Sequence, residues 1–84
     1  MKIRKQQLGT ANIVGSNIER LRKERNIKQK TFITKMQLLG VDINPTSYSK
    51  LEGQVRIATD KEVLAASQIL NVEICDLFSQ QDKN

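Results

Sequence analysis

Lys28, Gln29 and Lys30 stand together where a helical pattern begins. Lysine is a poor N-cap, and two ammonium groups beside a helix N-terminus oppose its dipole. That local cost makes sense if an anion supplies the missing negative charge, since first-turn N–H groups and both lysines can then face one acceptor. A second set follows in Asn44, Pro45, Thr46, Ser47, Ser49 and Lys50, whose outer face is too polar and small-residued for a core. Hydroxyls donate and accept and the lysine donates, so the chemistry is hydrogen bonding rather than catalysis. The chain has no histidine and one cysteine, Cys75. No nucleophile, base and orienting group gather along it, so no enzyme is expected. One cysteine without histidine also excludes a disulfide framework or a Cys/His zinc site within one chain. No cofactor, metal or small-molecule ligand is expected.

The net charge of +5 is unevenly placed. Residues 1–30 hold nine basic residues against Glu19 and Glu24, whereas residues 31–84 hold five basic and seven acidic ones. A basic front suggests an anionic polymer or surface on one side of the molecule, although a basic run can also be a solvated face. The 84 residues make one small domain, near the lower limit for a self-sufficient core, and dimerisation would help it. No apolar run resembles a signal peptide or a membrane span, and the cysteine usage suggests a reduced, cytoplasmic setting.

The elements that must position these residues are short helices. Residues 1–12 have no usable period and read as a mobile basic arm carrying Lys2, Arg4 and Lys5. Ser16 and Glu19 fit a capping box, which predicts a first helix from Ser16 to Arg25 with Asn26 as a left-handed terminator. Phe32, Ile33, Met36 and Leu39 form one stripe of a second helix, Gln29 to Leu39, ended by Gly40. Asn44 as N-cap and Pro45 at the first position open a third helix, with Tyr48 and Leu51 inward and Gly53 as the stop. Thr59 and Glu62 form another capping box, starting a fourth helix whose buried stripe is Val63, Ala66, Ser67 and Leu70. Asn71 closes it. Glu73 to Phe78 make a short fifth helix. Cys75 reads there as a small buried hydrophobe. The tail 80–84 should fray. No strand is expected, so the fold class is all-α.

The stretches IERLRKERNIKQKTF, YSKLEG and TDKEVLAASQILNVEICDLF together resemble the Cro/C1-type (lambda repressor-like, XRE) helix-turn-helix family over residues 13 to 78. That resemblance implies a five-helix domain at 13–79 that binds double-stranded DNA as a transcriptional regulator, a repressor acting as a homodimer in a bacterial or phage setting. In such a unit one helix braces on the backbone and the next reads the major groove. The chain departs from the family by an insertion around Gln37 to Val41, which predicts a second helix longer by about a turn.

The resemblance assigns Lys28, Gln29 and Lys30 to the sugar-phosphate backbone, with Gln29 also bracing the third helix. It places Thr46, Ser47, Ser49 and Lys50, with Asn44 and Pro45, where bases or flanking phosphates are met. Thr46 and Ser47 discriminate weakly, Lys50 can bond guanine O6 and N7, and Pro45 offers only apolar contact. Arg56, with Gln54, is a further backbone contact. Arg22 and Glu52 correspond to a buried ion pair of related repressors. Tyr48 and Ser67 read as core, and Arg20 and Lys23 as a solvated face. The arm either enters the minor groove or adds counterion release. Part of the dimer contact is expected from Glu73 to Phe78. The rival reading is a protein-interaction module, an antitoxin or anti-repressor with the same fold.

Overall fold

Five helices make up residues 9–79, the part of the chain that the computed structural model describes. They are α1 (Val14–Glu24), α2 (Gln29–Leu38), α3 (Pro45–Glu52), α4 (Asp60–Leu70) and α5 (Ile74–Leu77), and no strand occurs among the described residues. The expected arm residues Lys2, Arg4 and Lys5, and the tail 80–84, lie outside this range.

Three helix ends follow their local chemistry. The Asn44 side chain accepts from the Ser47 N–H at 2.8 Å, and Pro45 takes the first helical position. Thr59 and Glu62 close their capping box, with both bonds present at 3.2 and 2.9 Å. Asn26 and Asn71 turn left-handed at φ 58° after α1 and α4.

The start of α1 departs from expectation. The helix begins at Val14, two residues early, and Ser16 lies exposed inside it. Asn12 caps this end instead, its side-chain oxygen accepting from the Gly15 N–H at 2.8 Å. The Asn12 amide also donates to Leu51 O at 3.1 Å and Arg56 O at 2.8 Å, so one side chain ties α1 to the exit of α3. Residues 9–12 are therefore held rather than free. Gly9 N–H donates to Gly53 O and Ala11 N–H to Gln54 O, both at 2.9 Å. Gly53 is the C-cap of α3, as expected, at φ −78°, and the left-handed residue that follows is Gln54 at 63°.

The core gathers Val14, Ile18 and Leu21 from α1, Phe32, Ile33 and Met36 from α2, Tyr48 and Leu51 from α3, Ala65, Ala66 and Leu70 from α4, and Leu77. Each large member contributes about 1.5–3 kcal/mol relative to exposure. Leu39, expected in the α2 stripe, is half exposed. The connection after it supplies Val41 and Ile43 in its place. Gly40 makes this possible, since its φ of +94° reverses the chain where a side chain would be strained. The Gln37 amide then clips the return by donating to Ile43 O at 2.8 Å.

In α4 the inward set is Glu62, Ala65, Ala66, Ser67 and Leu70, with Val63 only half-buried. In α5 only Leu77 turns inward, and Cys75, two residues away on the opposite side of a helix, is exposed rather than buried. Asn17 secures α5 to α1, donating to Leu77 O at 2.7 Å and Ser79 O at 2.8 Å. The long sequence separation of these bonds hides them from local pattern reading.

Candidate nucleic-acid interface

α2 and α3 pack on one another and form a connected unit. The rings of Phe32 and Tyr48 meet at 5.5 Å with an interplanar angle of 39°, which fixes how the two helices cross. Behind this contact lies a buried polar network centred on Glu52. Its carboxylate accepts from Arg22 Nε at 2.7 Å, Arg22 Nη2 at 3.3 Å, Gln29 Nε2 at 3.0 Å and the Tyr48 hydroxyl. Arg22 Nη1 adds a bond to Ile27 O at 2.8 Å, just before α2. Arg22 and Glu52 are thus the ion pair expected between the first and third helices, with side chains 8% and 4% exposed.

Electrostatics within the network are one-sided. Burial alone would lower the Arg22 pKa, but the hydrogen bond and negative charge of Glu52 outweigh it and raise it. Burial, then the hydrogen bond to Glu52 and its charge, push the Tyr48 hydroxyl well above its ordinary range. Arg22 stays charged and Tyr48 stays a donor, so α3 is held by donors that do not titrate near neutrality. Tyr48 is core, as expected, but its hydroxyl role was missed. Its spacing of four residues before Glu52 on one helix was the available signal.

The surface in front of this network carries the other site residues. Lys28, Gln29, Lys30, Asn44, Pro45, Thr46, Ser49 and Lys50 are exposed, and Ser47 is half-buried. Among the described residues Lys28, Lys30 and Lys50 form no ion pair, and no acid occupies the first turn of α2 or α3. The two helix starts differ. No side chain caps α2, so its first-turn N–H groups remain available between the two lysines. At α3, Asn44 takes the Ser47 N–H and Pro45 has none, leaving the Thr46 N–H. The start of α2 therefore leaves more uncapped N–H groups than the start of α3. Gln29 gives one amide hydrogen to Glu52 and keeps a second for an outside acceptor.

Arg56 is corrected. Its guanidinium donates to Ser47 O at 3.0 Å, Ile57 O at 2.9 Å and both oxygens of Glu62 at 2.9 and 2.8 Å. It is a brace between α3 and α4 rather than an outward cation, because the buried Glu62 carboxylate needs a partner. Gln54 likewise turns inward, its amide donating to Asn12 O at 2.9 Å. Arg20 and Lys23 pair with Glu24 at 3.4 Å and Glu19 at 3.0 Å on the outer face of α1.

Glu62 links this brace to pH. Burial would raise its pKa, but bonds from Arg56 and Thr59 prevail and lower it from 4.5. A lowered folded value means that the unfolded chain binds the proton more readily. The stabilisation is complete above about pH 4.5 and is lost as pH falls through the folded value. Glu62→Gln should lower the melting temperature at neutral pH and flatten its decline below pH 4.5, as read by thermal melts across pH.

Comparison with protein-family models, curated proteins and solved structures finds no match to this chain.

Proposed function

We propose that the chain is a sequence-specific, double-stranded DNA-binding regulator of transcription, a repressor that excludes polymerase by occupying its site. α3 enters the major groove in the manner of a helix-turn-helix reader, and the start of α2 holds a backbone phosphate. The observation that carries this reading is the α2–α3 surface. Lys28, Lys30 and Lys50, exposed and without an ion pair among the described residues, belong to the same two-helix unit as the hydroxyl-bearing face of α3, which the Arg22–Glu52–Tyr48–Gln29 network anchors.

Two copies bind two half-sites about a helical turn apart. Ile74 of α5 and Phe78 just after it, exposed by 44% and 45%, are part of the contact between them. Ile13, 45% exposed one turn before Asn17, stands on the side of α1 that reaches α5. A cytoplasmic setting belongs with this reading. Among the described residues no helix is long and apolar enough to cross a membrane. The alternative, a protein-interaction module such as an antitoxin or anti-repressor, draws on the exposed Leu38 and Leu39.

Selection of bound sites from random duplexes separates the roles. Lys50→Ala should cost about 1–3 kcal/mol on the preferred site and relax the choice at one base pair. Lys28→Ala should weaken all duplexes alike and reduce the salt slope by about 1. Equal, sequence-independent losses for both would remove Lys50 from base reading.

A further inference from the structure

The two ends of α3 are held differently. Among the described residues, the side-chain hydrogen bonds that reach α3 from α1, α2 and the lead-in to α1 end on its last two residues, at Leu51 O and the Glu52 carboxylate. Its first turn carries Thr46 and Ser47. Beyond the bond from its own N-cap, that turn receives one, from Arg56 Nε to Ser47 O at 3.0 Å. Tyr48 and Leu51 hold the middle and end of the helix by burial. That attraction is non-directional, so the angle of the helix is left to the hydrogen bonds. Thr46 lies about 9 Å before Glu52 along the axis. A tilt of about 10° about Glu52 would move it by about 1.5 Å, beyond the roughly 0.5 Å within which a reading group must be held.

Arg56 does more than neutralise a carboxylate. Its Nη1 and Nη2 already grip both oxygens of Glu62 at 2.9 and 2.8 Å, and Glu62 is 6% exposed on α4. The Nε bond adds nothing to that neutralisation. It joins α4 to the first turn of α3 through one rigid guanidinium plane. The backbone from which this side chain hangs is fixed as well, since Arg56 O accepts from the Asn12 amide at 2.8 Å. We propose that Arg56 is a positioning residue for base selection: without touching DNA, it sets the angle at which the first turn of α3 meets the groove. The inference rests on the DNA reading of α3 and extends it to a residue behind the interface.

The test compares two variants with the parent chain. Each is read as the ratio of affinity for the site that the parent selects to affinity for random duplex. Unfolded molecules drop out of both numbers alike, so lost stability by itself leaves the ratio where it was. Arg56→Lys keeps a charge beside Glu62 but lacks the fork that also reaches Ser47 O. Arg56→Met with Glu62→Gln leaves no charge unpaired and keeps a residue that the capping box accepts. Both should lower the ratio by about tenfold, within the range of one lost base contact. The salt slope should stay that of the parent, because net charge is unchanged and no phosphate contact is lost. An unchanged ratio in either variant would overturn the proposal. So would equal losses on all duplexes with a slope shallower by about one, which would make Arg56 a phosphate contact. A parent that binds no random duplex at low salt removes the DNA reading itself and this inference with it. A parent that discriminates no better than its variants removes this inference alone.

Discussion

Arg22→Ala should destabilise the fold by about 3–5 kcal/mol. A domain of this size has a total stability of only about 5–13 kcal/mol, so the variant will be marginal. The size of the effect comes from what is left behind. Glu52 remains 5% exposed and loses its cation, and Ile27 O loses its donor. Tyr48 and Gln29 still donate to Glu52 but bring no charge. Replacing the whole group is gentler than breaking it. Arg22→Met with Tyr48→Phe and Glu52→Met should recover much of the loss, because no buried charge is then left unpaired and only Ile27 O and the amide of the exposed Gln29 lose a partner. Chemical denaturation of both proteins measures the difference. If Arg22→Ala costs less than about 1 kcal/mol, the buried pair is not the anchor of α3. Its duplex affinity should fall with its stability. Lost binding at an unchanged melting temperature would instead make Arg22 a phosphate contact.

Gly15→Ala should also destabilise strongly, against the usual rule for helices. Alanine in a helix interior gains about 1 kcal/mol over glycine. Here a Cβ would lie 2.1 Å from Leu51 O and 3.0 Å from Glu52 O, both backbone atoms that cannot rotate away. α1 and α3 must move apart, which opens the core at Ile18 and Leu51 and strains the Asn12 cap. Overpacking of this kind costs about 3 kcal/mol, so the net effect is about 2 kcal/mol of lost stability. Urea denaturation decides the sign. A Gly15→Ala protein more stable than the parent would show that the close approach of the two helices is relaxed in solution.

These two residues also show where sequence reading succeeds and where it stops. Asn44–Pro45, Thr59 with Glu62, Asn26 and Asn71 were legible because each acts on backbone within a few residues of itself. Helix count, the buried stripe of α2 at Phe32, Ile33 and Met36, and the inward Tyr48 and Leu51 were legible from period alone. The start of α1 was not. Ser16 and Glu19 offer a local cap, but the contact of Gly15 with Leu51 and the reach of Asn12 to Arg56 span about forty residues and prevail. Leu39 lost its core position to Val41 and Ile43 for the same reason, since Gly40 decides which residues return to the core. Of the expected interface, the set on α2 and α3 is exposed together. Arg56 turns inward to partner the buried Glu62, a demand that the residues beside Arg56 do not reveal. The Tyr48 hydroxyl was hidden by the correct inference that its ring is core.

The surface of Lys28, Lys30 and Lys50 stands or falls on the response of duplex binding to salt. Affinity for a random duplex, measured by fluorescence anisotropy from low to physiological salt, should be clear at low salt. Its logarithm should then fall linearly with that of salt, with a slope of about −0.9 for each phosphate neutralised. Lys28→Ala should make that slope shallower by about one phosphate. Absence of binding to any random duplex at low salt would contradict the proposal and leave the fold to a protein partner.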